Sequence, residues 1–148
     1  MELVYRHVLC AYDASPAAEA ALTDAIDLAS AMRARLAIVS VIEKPPAGVA
    51  VAGVDPEALS LTIEHDAADR LRAAADRVPD DVPLTTMLRA GHAGKQILKA
   101  AAEVGADVLV LGTRGRGRVT SNLFGSVAGD VHYHTRLPML VVSRPDED

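Results

Sequence analysis

Gly112, Gly115, Gly125 and Ser126 are residue types that can line an anion site. They lie in Leu109-Val-Leu-Gly-Thr-Arg-Gly-Arg-Gly-Arg-Val-Thr-Ser-Asn-Leu-Phe-Gly-Ser-Val127. An apolar run ends at Leu111, a turn rich in Gly and Arg follows, and Gly125-Ser126 opens a segment that reads as a helix. A strand end, a glycine turn and a helix N-terminus together present backbone N–H groups and a partial positive charge. Glycines let an anion approach that backbone. Arg114, Arg116 and Arg118 add guanidinium groups, whose fork matches phosphate oxygens. The chemistry expected here is capture of a nucleotide phosphate tail.

Other glycine motifs fail on their neighbours. Gly112 and Gly117 have P-loop spacing, but Arg118-Val119 stands where that motif needs Lys-Ser or Lys-Thr. No G-x-G-x-x-G follows the first strand, so a dinucleotide fingerprint is absent. Ser126 sits in no G-x-S-x-G, which argues against a hydrolase nucleophile. Asp13, at the end of the first apolar run, has two readings: a carboxylate that stabilises a helix N-terminus, or a contact to ribose or adenine. A phosphoacceptor site of the receiver type is disfavoured, because Arg89 ends the third strand where an acidic residue would be wanted. His132 and His134 are two apart on a helix and do not share a face, so no metal pair is expected. His7, His65 and His92 are scattered and read as structural or exposed, and Cys10 reads as a small buried apolar residue.

The elements that must position these residues follow from patterning. Arg6 to Tyr12 and Leu36 to Ile42 are short, nearly continuous apolar runs, which read as buried parallel strands. Ser15-Pro16 and Asp55-Pro56 each give an N-cap followed by proline at the first helical position. The first helix carries Ala21, Leu22, Ala25, Ile26, Leu28, Ala29 and Met32 at helical spacing. The second carries Leu59, Ile63, Ala67, Leu71, Ala75 and Val78 and is expected to stop at Pro79. Between the second strand and Asp55, Pro45-Pro46, Gly48 and Gly53 mark a long loop. Leu84 to Arg89 alternates and carries Thr85 and Thr86, which places this third strand at an edge. Ala93 to Val104 is a third helix ended by Gly105. Asp107 to Leu111 is a fourth strand, a helix runs from Gly125 to about Thr135, and Met139 to Val142 is a fifth strand opened by Pro138.

The expected fold class is therefore α/β: a doubly wound five-stranded parallel sheet, strand order 3-2-1-4-5, with helices on both faces. Its 148 residues are expected to form one domain, 1–148. Ligands of such sheets sit beyond the carboxyl ends of the strands at the switch point, which Asp13 and Gly112 would flank. With one Phe, three Tyr and no Trp, a base-stacking surface is not expected, and a net charge of −5 disfavours nucleic acid or an anionic membrane as partner. A single cysteine excludes a disulfide framework, no run approaches a membrane span, and Met1-Glu-Leu-Val-Tyr-Arg has no signal-peptide pattern. A cytoplasmic location is expected.

Taken together, the sequence resembles the universal stress protein family. The resemblance rests on Gly112, two residues, Gly115, nine residues, Gly125 and Ser126, a spacing that matches the family's adenine-nucleotide-binding branch. It rests also on Val8-Leu-Cys-Ala-Tyr-Asp13-Ala-Ser15, where Ala14 replaces the usual glycine, and on the closing Pro138-Met-Leu-Val-Val142. The resemblance implies ATP, or AMP or ADP, held between the first and fourth strand ends, with Mg2+ carried through the phosphates. By position, Asp13 would contact the adenosine and Val41 would meet adenine through its backbone. Gly112, Gly115, Gly125 and Ser126 would wrap ribose and phosphates, with the amide of Val127 adjacent and Ala11, Tyr12 and Arg114 as neighbours. It also implies a homodimer paired through the Met139–Val142 edge strand. Three functions are carried forward: a nucleotide-binding regulatory module, a slow ATPase or nucleotidyl-transfer enzyme of related fold, and a family member that acts only through protein partners.

Overall fold

The first strand is held by what borders it. In β1 (His7–Ala11), Val8, Leu9 and Cys10 are fully buried, so both faces of the strand are covered. The computed structural model describes residues 4–43, 53, 55–113 and 125–143. Within them, β1 is followed by α1 (Pro16–Met32), β2 (Arg35–Ile42), α2 (Pro56–Asp76), β3 (Leu84–Ala90), α3 (Ala93–Val104), β4 (Val108–Gly112), α4 (Gly125–His134) and β5 (Met139–Val142). The strands form one parallel sheet in the order β3-β2-β1-β4-β5. In register, Cys10 lies beside Ile38 of β2 and Val110 of β4.

The core has two layers. Val8, Cys10, Leu36, Ile38, Val108 and Val110 face α1 and α2, meeting Ala21, Leu22, Leu71 and Ala74. Leu9, Ala37, Val39, Leu109 and Leu111 face the opposite way, onto Ile97, Ala100 and Ala101 of α3 and Val131 of α4. Alternate side chains along each strand thus enter different layers, as the pleat requires. Five of the six buried residues of α1 are alanines, which lets that helix lie close to the sheet.

The helix signals in the sequence act as expected. The Ser15 hydroxyl accepts the amide of Ala18, and the Asp55 carboxylate accepts that of Glu57, each ahead of a proline in the first turn. Gly105, with φ +69°, closes α3 in the left-handed region. Some details differ. The long apolar stripe of α2 is core only in its second half: Leu71 and Ala74 are buried, whereas Leu61 is exposed and Leu59 and Ile63 are half-buried. The helix ends at Asp76 instead of running on to Pro79. There the amides of Arg77 and Val78 turn to the carbonyls of Ala74 and Ala75, tightening the last turn. The expected long loop lies largely outside the described residues. β3 is an edge strand, as its alternation implied.

Candidate functional site

From the carboxyl ends of β1 and β4 the chain leaves the sheet toward opposite faces, to α1 on one side and α4 on the other. That divergence is the topological switch point, where open sheets of this kind form their ligand crevice.

The β1 side of the crevice is tightly specified. The Tyr12 amide donates to the carbonyl of Val39 at 2.9 Å, and the Tyr12 carbonyl accepts the Ser40 hydroxyl at 2.7 Å. The Tyr12 ring is buried on the α1/α2 side, and its hydroxyl donates to Glu19. Glu19 is gripped in turn by the Arg77 guanidinium, which also donates to the Thr23 hydroxyl at 2.6 Å. Burial, reinforced by the bond to Glu19, raises the Tyr12 phenol above its ordinary pKa. A ligand contact by Tyr12 therefore falls to its backbone. Beneath it, burial pushes the Cys10 thiol up to about 12, so at neutral pH it is a packed apolar group and no nucleophile.

Asp13 follows at the corner, half-buried. Its Oδ1 accepts the amide of Ser15 at 3.0 Å, an Asx turn that aims the chain into α1. Ala14 takes φ +64°, a conformation that suits glycine better. The local, helix-shaping role of Asp13 is thus visible in the structure, and its half-exposed carboxylate stands at the strand end beside the crevice.

On the β4 side, Gly112 ends the strand against the first turn of α1. A Cβ built there would lie 2.8 Å from both the carbonyl carbon and the Cβ of Ala17. This glycine has a packing reason independent of any ligand. α4 then begins at Gly125, with Ser126 exposed and Val127 half-buried against the α3 layer. Ala11 and Val41 are half-buried on that same face of the sheet. Ala11, Tyr12, Asp13, Val41 and Gly112 are therefore gathered at one end of the sheet, where the chain also enters α4. Arg114 and Gly115, with Arg116 and Arg118, lie outside the described residues.

Two features escaped sequence reasoning. One is Ser40, 7% exposed, whose hydroxyl crosses from β2 to the end of β1. The only signal was a lone serine inside the apolar run Leu36–Ile42. The other is a polar joint between α3 and α4. Asp130 places Oδ2 at 3.8 Å from Nε2 of His92, the N-cap of α3, and Oδ1 at 3.2 Å from Nδ1 of His134. A side chain on Gly94 would run into the Asp130 carboxylate. His92 is thus structural and largely exposed, in line with the expectation for it, although its partner Asp130 is far away in sequence. Among the described residues, no three His, Cys, Asp or Glu groups are arranged to hold a metal ion.

Comparison with known proteins agrees with this architecture. A universal stress protein of Thermus aquaticus is 33% identical over 139 residues, covering 94% of this chain and 99% of that relative. A universal stress protein of Mycobacterium tuberculosis is 31% identical over 140 residues, covering 90% of this chain; the chain spans only 44% of that relative's length. A solved universal stress protein in complex with cAMP has a TM-score of 0.61 and 26% identity, covering 95% of this chain and 98% of that one. The model of the Universal stress protein family matches residues 4–143. With the family model matched across residues 4–143 and the sheet order in place, the chain belongs to the universal stress protein family.

Proposed function

We propose that this protein is an adenine-nucleotide-binding regulatory module of the universal stress protein family. The observation that supports the reading is the sheet order, which brings the β1 end, the β4 end and the start of α4 to one end of the sheet at its switch point. Asp13 stands there half-exposed, and the N-terminus of α4 supplies backbone donors suited to phosphate. A related structure holds cAMP. In this reading Asp13 and Val41 take the adenosine, with Ala11 and the Tyr12 backbone beside them. Gly112, Gly115, Gly125, Ser126 and the Val127 amide take ribose and phosphates, with Arg114 next to them. Mg2+ would be held through phosphate oxygens and water. The reading is of a binding module, with slow ATP hydrolysis or nucleotidyl transfer as the alternative reading. We propose further that the chain is a single cytoplasmic domain, and that β5 pairs antiparallel with its copy in a homodimer. Leu140 is exposed on that edge strand.

The test is a calorimetric titration of ATP into refolded, nucleotide-stripped protein, with and without Mg2+. The expected result is saturable binding at about one site per chain, in keeping with one crevice per sheet. Asp13→Asn keeps an acceptor for the Ser15 amide. It should fold normally and lose roughly tenfold or more in affinity, the scale of one charged hydrogen bond. A flat titration from folded wild-type protein overturns the reading.

A further inference from the structure

We propose that Ser40 is a positioning residue for the adenine base, acting without touching it. The inference rests on the nucleotide-binding reading above. In β2, backbone groups alternate in direction. Arg35 donates to Arg6 and Val39 accepts from Tyr12, both on the β1 side; Leu36 donates to Pro83 and Ile42 accepts from Gly91, both on the β3 side. By that alternation the N–H and C=O of Val41 point to the β1 side. β1, however, ends at Ala11.

Had the ladder continued, the Tyr12 carbonyl would accept the Val41 amide. It accepts the Ser40 hydroxyl instead, at 2.7 Å, with Ser40 buried. The serine side chain thus takes over a backbone bond. Two consequences follow. Tyr12 is fixed from both sides, by Val39 at its amide and Ser40 at its carbonyl, so the chain enters the Asp13 corner in one direction. The outward amide and carbonyl of Val41 are released from the ladder toward the crevice. An adjacent donor and acceptor on one extended residue match the ring nitrogen and exocyclic amine that adenine presents on one edge. Ser40 therefore makes the end of β2 a base-reading edge and keeps β1 from closing over it.

The test compares Ser40→Thr with Ser40→Val, a pair of nearly equal shape that differs by the hydroxyl. Ser40→Ala is a third variant with no added volume. Each is titrated with ATP and, separately, with inorganic tripolyphosphate, and its folding is followed by thermal unfolding. The threonine variant should bind ATP close to wild type. The valine and alanine variants should bind ATP roughly tenfold more weakly, the scale of one buried hydrogen bond, while tripolyphosphate affinity stays level in all of them. A general loosening of the fold would lower both ligands together. Equal ATP affinity in the threonine and valine variants overturns the role of Ser40 while leaving the nucleotide reading intact. A wild-type protein that binds no ATP overturns both.

Discussion

Gly112 and Ala17 approach so closely that no side chain fits between them: a Cβ on Gly112 would stand 2.8 Å from the Ala17 backbone. Ala17 is fully buried in the first turn of α1, and Gly112 ends β4. The glycine that opens the phosphate-loop pattern is therefore also the point where helix and sheet are pressed together.

Gly112→Ala should for that reason destabilise the protein with no ligand present. Overpacking against backbone costs about 1–3 kcal/mol. Urea unfolding of the ligand-free protein is the check. An unchanged midpoint would mean that α1 moves away freely and that the contact is not tight.

Ala14→Gly should do the opposite. Ala14 sits at φ +64°, where a Cβ costs about 1–2 kcal/mol. Part of the relief is offset by the greater freedom of glycine in the unfolded chain, leaving a net gain of about 0.5–1 kcal/mol. A thermal melt a few degrees higher, with nucleotide affinity unchanged, is the expected outcome. A lower melt would show that the corner tolerates alanine without strain.

Cys10 sets a pH dependence. Its thiol is raised from an ordinary 9.0 to about 12 by burial. Between those values the unfolded chain has lost the proton that the folded chain keeps, so the unfolded state binds fewer protons and stability falls as pH rises. The slope from this one group is about 1.4 kcal/mol per pH unit. Tyr12 is raised as well and acts in the same direction above its ordinary 10.0. Denaturation curves from pH 8 to pH 11 should show this decline, and Cys10→Ala should remove the thiol's share of it. A slope identical in the variant would show that the thiol contributes nothing. At neutral pH a thiol reagent should label Cys10 only when the protein opens.

Much of the fold was legible because its signals are local. The Ser15-Pro16 and Asp55-Pro56 starts, Gly105 at the end of α3, and the apolar runs of the strands each act within a few residues. α2 misled because an apolar stripe says where a helix is able to pack, while the sheet decides how much of it is covered. The bonds around the candidate site were not legible in the residue pattern. Ser40 reaches Tyr12 only through the β1–β2 register, and His92 meets Asp130 only because α3 and α4 share a face. Gly112 was recognised for its spacing, yet the contact that demands a glycine comes from α1, at the other end of the chain.

β3 and β5 leave the sheet with two margins, each bonded on one side only among the described residues. In the homodimer proposed above those margins would have different fates. Self-pairing of β5 about a two-fold axis would consume both copies of the same edge and would stop at two chains. Addition of one chain's β3 to another's β5 would leave a fresh margin at each end and grow into a filament. Exposed Thr85 and Thr86 and the Arg89–Glu103 ion pair line the β3 side with polar groups. In such a homodimer the chemistry of β3, the strand farthest from β5, would decide whether assembly terminates or polymerises.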